Sequence, residues 1–263
     1  MNYKALAALS KRYLFSYMAS KGFFWTLAFG WMMAPLIYMF VWVIAAGDGT
    51  ISGFSRSDFM TYYALLIIIN QLTYPISHWT IGDAIFEGTF STWLLRPLHP
   101  VYEAISTDIA GKIVTLPFVM VFVVIIVLIL RIDFDITMSN IGIGIIALVM
   151  ALVLRFILGY TLALLALYTQ KLTSVLTVNN TLTLLLAGQI MPTALLPDLV
   201  RDISIYLPYR YVLGFPIELI LGKLPQSEII VGIVIQATWI VVILVLQWIV
   251  WRNGLKRFSA VGG

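Results

Sequence analysis

Asn70, Gln71, Arg155, Asn179, Asn180 and Gln189 interrupt stretches otherwise written in Leu, Ile, Val and Phe. Amides and a guanidinium at such positions can serve two ends. They hydrogen-bond one helix to the next, or they form a polar wall along the path of a solute. Arg155 is the costliest of them. Counted from Asn140 at the outer face, it lies roughly 22 Å deep at a rise of 1.5 Å per residue. That is near enough to the opposite surface for its head to snorkel. On sequence grounds, snorkelling or interhelical pairing and the lining of a cavity are both open.

Bond-making chemistry is hard to build from the remainder. His78 and His99 stand far apart with no paired-histidine spacing, so neither points to a metal site or a catalytic base. Cysteine is absent, which excludes disulfides, thiolate metal sites and a cysteine nucleophile. The nearest approach to a P-loop is "GFPIELILGKL" (214–224). Its glycines are too widely spaced and Leu follows the Lys, so it cannot cradle phosphates. No Asp or Glu stands well inside an apolar stretch, which weighs against a proton relay. The expectation is a chain with no catalytic residue, metal or cofactor of its own. Any ATP it uses must be bound by a partner.

Hydrophobic residues make up 61% of the 263 positions and charged residues only 11%. A soluble domain carries about 25% charged residues. So much apolar surface needs lipid as its solvent, and lipid leaves backbone groups no partner outside a helix or a closed barrel. The alternation of barrel strands is missing, so the fold class expected is an all-α integral membrane protein. A crossing takes roughly 20 apolar residues, and 23–46, 59–80, 104–130, 140–169, 174–193 and 228–251 qualify, roughly six spans. No internal repeat or flexible linker divides the chain, which reads as one transmembrane domain over 1–263.

The net charge of +4 would raise the question of nucleic acid in a soluble chain. Here the basic residues flank apolar stretches and report orientation. Lys4, Lys11, Arg12, Lys21, Arg96, Lys112, Lys171, Arg252, Lys256 and Arg257 on one side outnumber Arg56, Arg131, Arg201, Arg210 and Lys223 on the other. The positive-inside rule then places both termini in the cytoplasm.

Three stretches do not span. In 2–21, Leu6, Leu9, Tyr13 and Tyr17 share a helical face while Lys4, Lys11 and Arg12 look elsewhere, as in a helix lying at the headgroups. Residues 195–225 are divided by Pro197, Pro208 and Pro216. They are too polar to cross and too apolar for a solvated loop, and predict short re-entrant or surface helices. Residues 87–100, "EGTFSTWLLRPLHP", follow Thr80 and Asp83, whose spacing suggests a capping box. Phe86, Phe90, Trp93 and Leu94 then form one apolar stripe with Glu87, Ser91 and Thr92 off it, and Pro97 ends the segment at Arg96.

This order of parts resembles the ABC-2 type permeases, in particular the branch of bacterial drug- and peptide-export permeases. The likeness rests on "IFEGTFSTWLLRPLHPVYE" (85–103) and on "MPTALLPDLVRDISIYLPYRYVLGFPIELILGK" (191–223). It implies a plasma-membrane subunit that pairs with a second permease, identical or not, and docks a cytoplasmic ATPase dimer holding ATP and Mg. Residues 87–100 would be its coupling helix. Phe90 and Trp93 would anchor it with Phe86 and Leu94, while Glu87, Ser91, Thr92 and Arg96 meet the ATPase; a helix that merely braces spans two and three is the plainer alternative. The family mostly exports, and the uncharged intramembrane amides suit an amphipathic or apolar cargo such as a drug, peptide or lipid. An ion-coupled secondary transporter and a non-transporting immunity or assembly protein are the other classes open.

Overall fold

A computed structural model of the chain describes residues 2–20, 22, 30–134 and 136–258. Residues 23–29, the start of the first expected span, lie outside the described residues, as does Lys21. The α-helices with described bounds are α1 (Tyr3–Ala19), α2 (Met33–Ala46), α3 (Arg56–Thr73), α4 (Ser77–Phe86), α5 (Phe90–Leu94), α6 (Val101–Leu130), α7 (Met138–Leu164), α8 (Leu172–Leu186), α9 (Asp198–Tyr206), α10 (Gly214–Ile220) and α11 (Gln226–Arg257). The strands among the described residues are two-residue β1 (Thr50–Ile51) and β2 (Phe54–Ser55), which pair Thr50 with Ser55 and Ile51 with Phe54. Their turn, Ser52–Gly53, has φ of 49° and 80°, the left-handed pair that a tight hairpin demands.

By length and composition, Arg56–Phe86, Val101–Leu130, Met138–Leu167 and Gln226–Arg257 can each cross a membrane. The first of these is central. Its apolar window is 72% buried in the chain, against 22%, 33% and 17% for the other three. The outer helices accordingly present Val121, Val124, Leu128 and Val245 outward, where lipid is a better solvent than water.

Several expected boundaries move. The second expected span, 59–80, is two helices: α3 starts earlier, at Arg56, and stops at Thr73. Pro75 accounts for the stop, because the residue before a proline is driven out of the helical region; Tyr74 sits at φ −59°, ψ 123°. The start of α3 is a true capping box, with Ser55 and Asp58 exchanging hydrogen bonds. The box expected from Thr80 and Asp83 does not form, since both lie inside α4. In place of the fifth expected span, 174–193, stands α8, which starts two residues earlier, at Leu172, and has only 15 residues. At 1.5 Å per residue that is roughly 22 Å of helix, short of the roughly 30 Å hydrocarbon core. Its continuation, 187–192, is a turn at Gly188, φ 80°, held by Tyr62 Oη on the Gly188 carbonyl (2.8 Å) and Tyr63 Oη on the Ile190 carbonyl (2.6 Å).

The α1 face bearing Leu6, Leu9, Tyr13 and Tyr17 packs on α6, with Tyr17 buried. At the other end of the bundle the Pro-divided stretch forms α9 and α10. Every residue of α10 is buried, against α7 and α3. It is an interior element, not a surface one.

Candidate functional site

A recess of about 390 Å³ lies between α2, α3, α7 and α8. Four of the expected polar residues meet there: Asn70 from α3, Arg155 from α7, Asn180 from α8 and Gln189 from the turn beyond it. Trp31 and Tyr74 supply aromatic surface to the same wall, their ring centroids 4.9 Å apart. Arg155 Nη1 donates to Asn70 Oδ1 and Thr73 Oγ1, both at 2.8 Å, and more weakly to the Asn70 carbonyl at 3.5 Å. The guanidinium lies 5.3 Å from the Tyr74 ring centroid. Arg155 therefore does not snorkel. Its head is buried and tied to a neighbouring helix.

Asn179 and Gln71 are placed differently. Asn179 borders a small gap shared with Pro75, His78 and Arg155, and its Oδ1 is buried without a partner. Gln71 points to the far side of α3, where Nε2 donates to Thr115 Oγ1 of α6 at 2.7 Å. It braces two helices and faces away from the recess. The sequence reading missed Thr73 and Tyr74, although the i, i+3 spacing of Asn70 and Thr73 puts both on one helical face.

The coupling stretch lies at the α1 end. Gly88, at φ 75°, breaks the helix between Phe86 and Phe90, so the single amphipathic helix expected there is α4, a turn and the five residues of α5. Phe90 and Trp93 are buried and Leu94 packs beside them; Phe90 meets Phe258 at 5.6 Å and Trp251 at 6.2 Å between ring centroids. Phe86, assigned to the same stripe, is exposed because the break at Gly88 takes it out of phase. Glu87 and Thr92 are exposed; Ser91 is half-buried and, like Thr92, donates to a carbonyl of its own turn. Leu95, unremarked in the sequence, is 87% exposed. Arg96 is exposed, and its Nη1 binds Glu103 Oε1 at 2.6 Å. Glu103 Oε2 accepts from Arg12 Nη2 at 2.7 Å and from Tyr13 Oη at 2.8 Å. Burial, reinforced by Glu103, holds the Tyr13 phenol above its ordinary range, so it stays a donor.

A family model for ABC-2 family transporter proteins matches residues 30–262, which takes in α2 through α11 and both of these sites. The chain belongs to that family. It is a transporter membrane subunit of an ABC system, a class that works with an ATPase subunit and is not itself catalytic. No curated protein matches the chain.

In this ABC-2 family chain the two sites are joined by α4. Pro75 frees the helix start, and Asp108 of α6 caps it: Oδ1 accepts from the Ser77 amide at 2.8 Å, 31 residues away. Lys112 Nζ sits 3.8 Å from Asp108 and donates to the Tyr74 carbonyl at 3.4 Å. His78 is buried on the same helix against the Tyr74 ring, while exposed His99 lies tilted against Trp251, ring centroids 4.5 Å apart. At the opposite end, buried Arg210 reaches Glu218 at 3.3 Å and half-exposed Glu228 at 3.5 Å. Glu218 Oε1 also accepts from the Thr193 amide at 2.6 Å, which ties α10 to the turn after α8. Gln236 of α11 donates to the Ala147 and Tyr211 carbonyls. None of these long-range partners has a local sequence signal.

Proposed function

We propose that the chain is a permease subunit of an ATP-driven exporter in the bacterial plasma membrane. It crosses the membrane about six times with both termini in the cytoplasm, its domain covering the whole chain. With a second permease chain it forms the path for an amphipathic or apolar substrate, and separate ATPase subunits bind ATP and Mg. The observation that carries this reading is the adjacency of recess and coupling turn on one central segment. Asn70 and Tyr74 border the recess and Thr73 holds its Arg155; α4 follows and leads through the turn at Gly88 to α5.

In this reading the ATPase seats on the face displaying Glu87, Thr92 and Leu95, beside a groove of about 340 Å³ lined by Phe86, Tyr168 and Arg257. Closure of the ATPases pushes α5 through its Phe90 and Trp93 anchors. The push passes to α4 and to the α3 residues that hold Arg155. A stiff helix suits this work, because packed elements switch between discrete arrangements rather than bending continuously. Gln71 acts near the path as a helix-to-helix brace, and Asn179 borders the small gap beside Arg155.

Gentle detergent purification of the tagged full chain from its native cells, with mass spectrometry of everything that accompanies it, tests the reading. Recovery of a P-loop ATPase is expected. Repeated recovery of the chain alone, in a preparation where a known membrane complex survives, would overturn it.

A further inference from the structure

Arg155 is a buried cation that forms no ion pair among the described residues. Asp108, a buried acid of α6, is engaged by Lys112 and by the Ser77 amide. Removing a charge from water without a partner is strongly unfavourable. Such a site persists where something else supplies the opposite charge.

The guanidinium is also only partly used. All three of its hydrogen bonds are made by Nη1. Nη2 and Nε make none among the described residues, and Arg155 lines the recess. Two donors in the plane of one guanidinium match the two oxygens of a carboxylate or phosphate. Around them the recess is divided in character. Asn180 and Gln189 offer further amide hydrogen bonds, while Trp31, Pro35 and Leu184 are apolar. Its volume of about 390 Å³ lies within the range of small-molecule sites, roughly 300–1,000 Å³. Trp31, Thr177 and Thr181 at its edge are exposed, so a ligand can reach it from the side.

We infer that this recess binds an amphipathic molecule carrying a single anionic group, carboxylate or phosphate, on Nη2 and Nε of Arg155, with its apolar body against Trp31, Pro35 and Leu184. This rests on the permease reading and narrows its cargo. A purely apolar molecule would leave the guanidinium unpaired. A cationic one would be repelled.

The probe is dansyl-undecanoic acid, compared with its methyl ester. Both are titrated into the full chain, with whatever subunits accompany it, in phosphatidylcholine nanodiscs; energy transfer from tryptophan reports binding. The acid is expected to bind at least about tenfold more tightly than the ester, the scale of one charge-assisted hydrogen bond. Arg155→Gln should abolish that preference and leave ester binding in place. Should that variant not fold, Asn180→Asp is the second test: it adds a carboxylate to the same wall and should weaken the acid about tenfold. Doping the discs with phosphatidylglycerol separates the sources of the anion. Competition with the probe assigns the site to a bilayer phospholipid, and its absence assigns it to a cargo molecule. Equal binding of acid and ester by the native chain, or an unchanged preference in both variants, overturns the inference. The titration needs no ATPase. Failure to recover an ATPase would remove the coupling reading and leave this result standing, while equal binding would do the reverse.

Discussion

Arg96 Nη1 lies 2.6 Å from Oε1 of Glu103, a carboxylate that is itself buried although the arginine is half-exposed. The other oxygen of Glu103 holds Arg12 and Tyr13 of α1. One side chain at the start of α6 thus fastens both the N-terminal helix and the end of the coupling turn. Arg96 belongs to the scaffold of that turn before it belongs to any docking face.

Replacing Glu103 by Gln should lower stability by about 1–2 kcal/mol, since charge-assisted hydrogen bonds are lost but both arginines can return to water. Arg12→Gln and Arg96→Gln should each do less, because the carboxylate keeps one cation. Thermal unfolding in detergent reads all three, and a double-mutant cycle should show the two arginines coupled through Glu103. A normal unfolding midpoint with lost ATPase docking in Arg96→Gln would return that residue to the interface.

Gly88→Val tests the break that creates α5. At φ 75° a β-branched residue is strained by roughly 1–2 kcal/mol, and the easiest relief is to let α4 run on into 87–90. We expect loss of ATPase co-purification with the protein still inserted. Gly88→Asn, which tolerates the left-handed region, should retain most of it. Equal recovery of ATPase from both variants would mean that the turn geometry is not what the partner reads.

Trp93 and Leu95 are two residues apart and should fail in opposite ways. Trp93 is buried beside Phe90, so Trp93→Ala should cost about 3–5 kcal/mol as a core truncation. Leu95 is exposed, so Leu95→Glu should leave the unfolding midpoint unchanged and reduce ATPase recovery at least several-fold. If Leu95→Glu docks normally, the partner seats elsewhere.

What was legible in the sequence follows from how far apart the determining residues lie. The helical class and the long spans come from lipid alone, because every apolar stretch must satisfy its own backbone. The α1 face was readable from the spacing of Leu6, Leu9, Tyr13 and Tyr17. Pro75 and Gly88 were visible signals too, but the apolar periodicity running through them suggested continuous helix. Asn70 and Arg155 could each be marked as polar residues in apolar surroundings; that they meet across 85 positions could not. The pairing of Arg96 with Glu103 was not readable, because the two lie across Pro97 and Pro100, beyond any helical spacing rule. The shortfall of α8 has a local sign in Gly188 (φ 80°) and Pro192, which lie within an apolar run; that Tyr62 and Tyr63, more than 100 residues away, hold the carbonyls of the resulting turn could not be read.

Asp108 offers the sharpest separation of two roles in one side chain. It caps α4 through the Ser77 amide and faces Lys112 within its own helix. Asp108→Asn keeps an oxygen for the amide and removes the charge, which should cost about 1–2 kcal/mol. Asp108→Leu removes both and leaves Lys112 buried beside an apolar group, so roughly 3–5 kcal/mol is expected. Thermal unfolding gives the order of the three proteins. Hydrogen exchange over Ser77–Phe86 separates the causes, because loss of the cap frays α4 from its first turn. If α4 is the lever between the recess and the ATPase face, Asp108→Leu should also uncouple ATP hydrolysis from transport under conditions where the complex remains assembled. Fraying of α4 with coupling intact would mean that the force travels by another helix, and the contact of α11 with Phe90 through Trp251 would be the next route to cut.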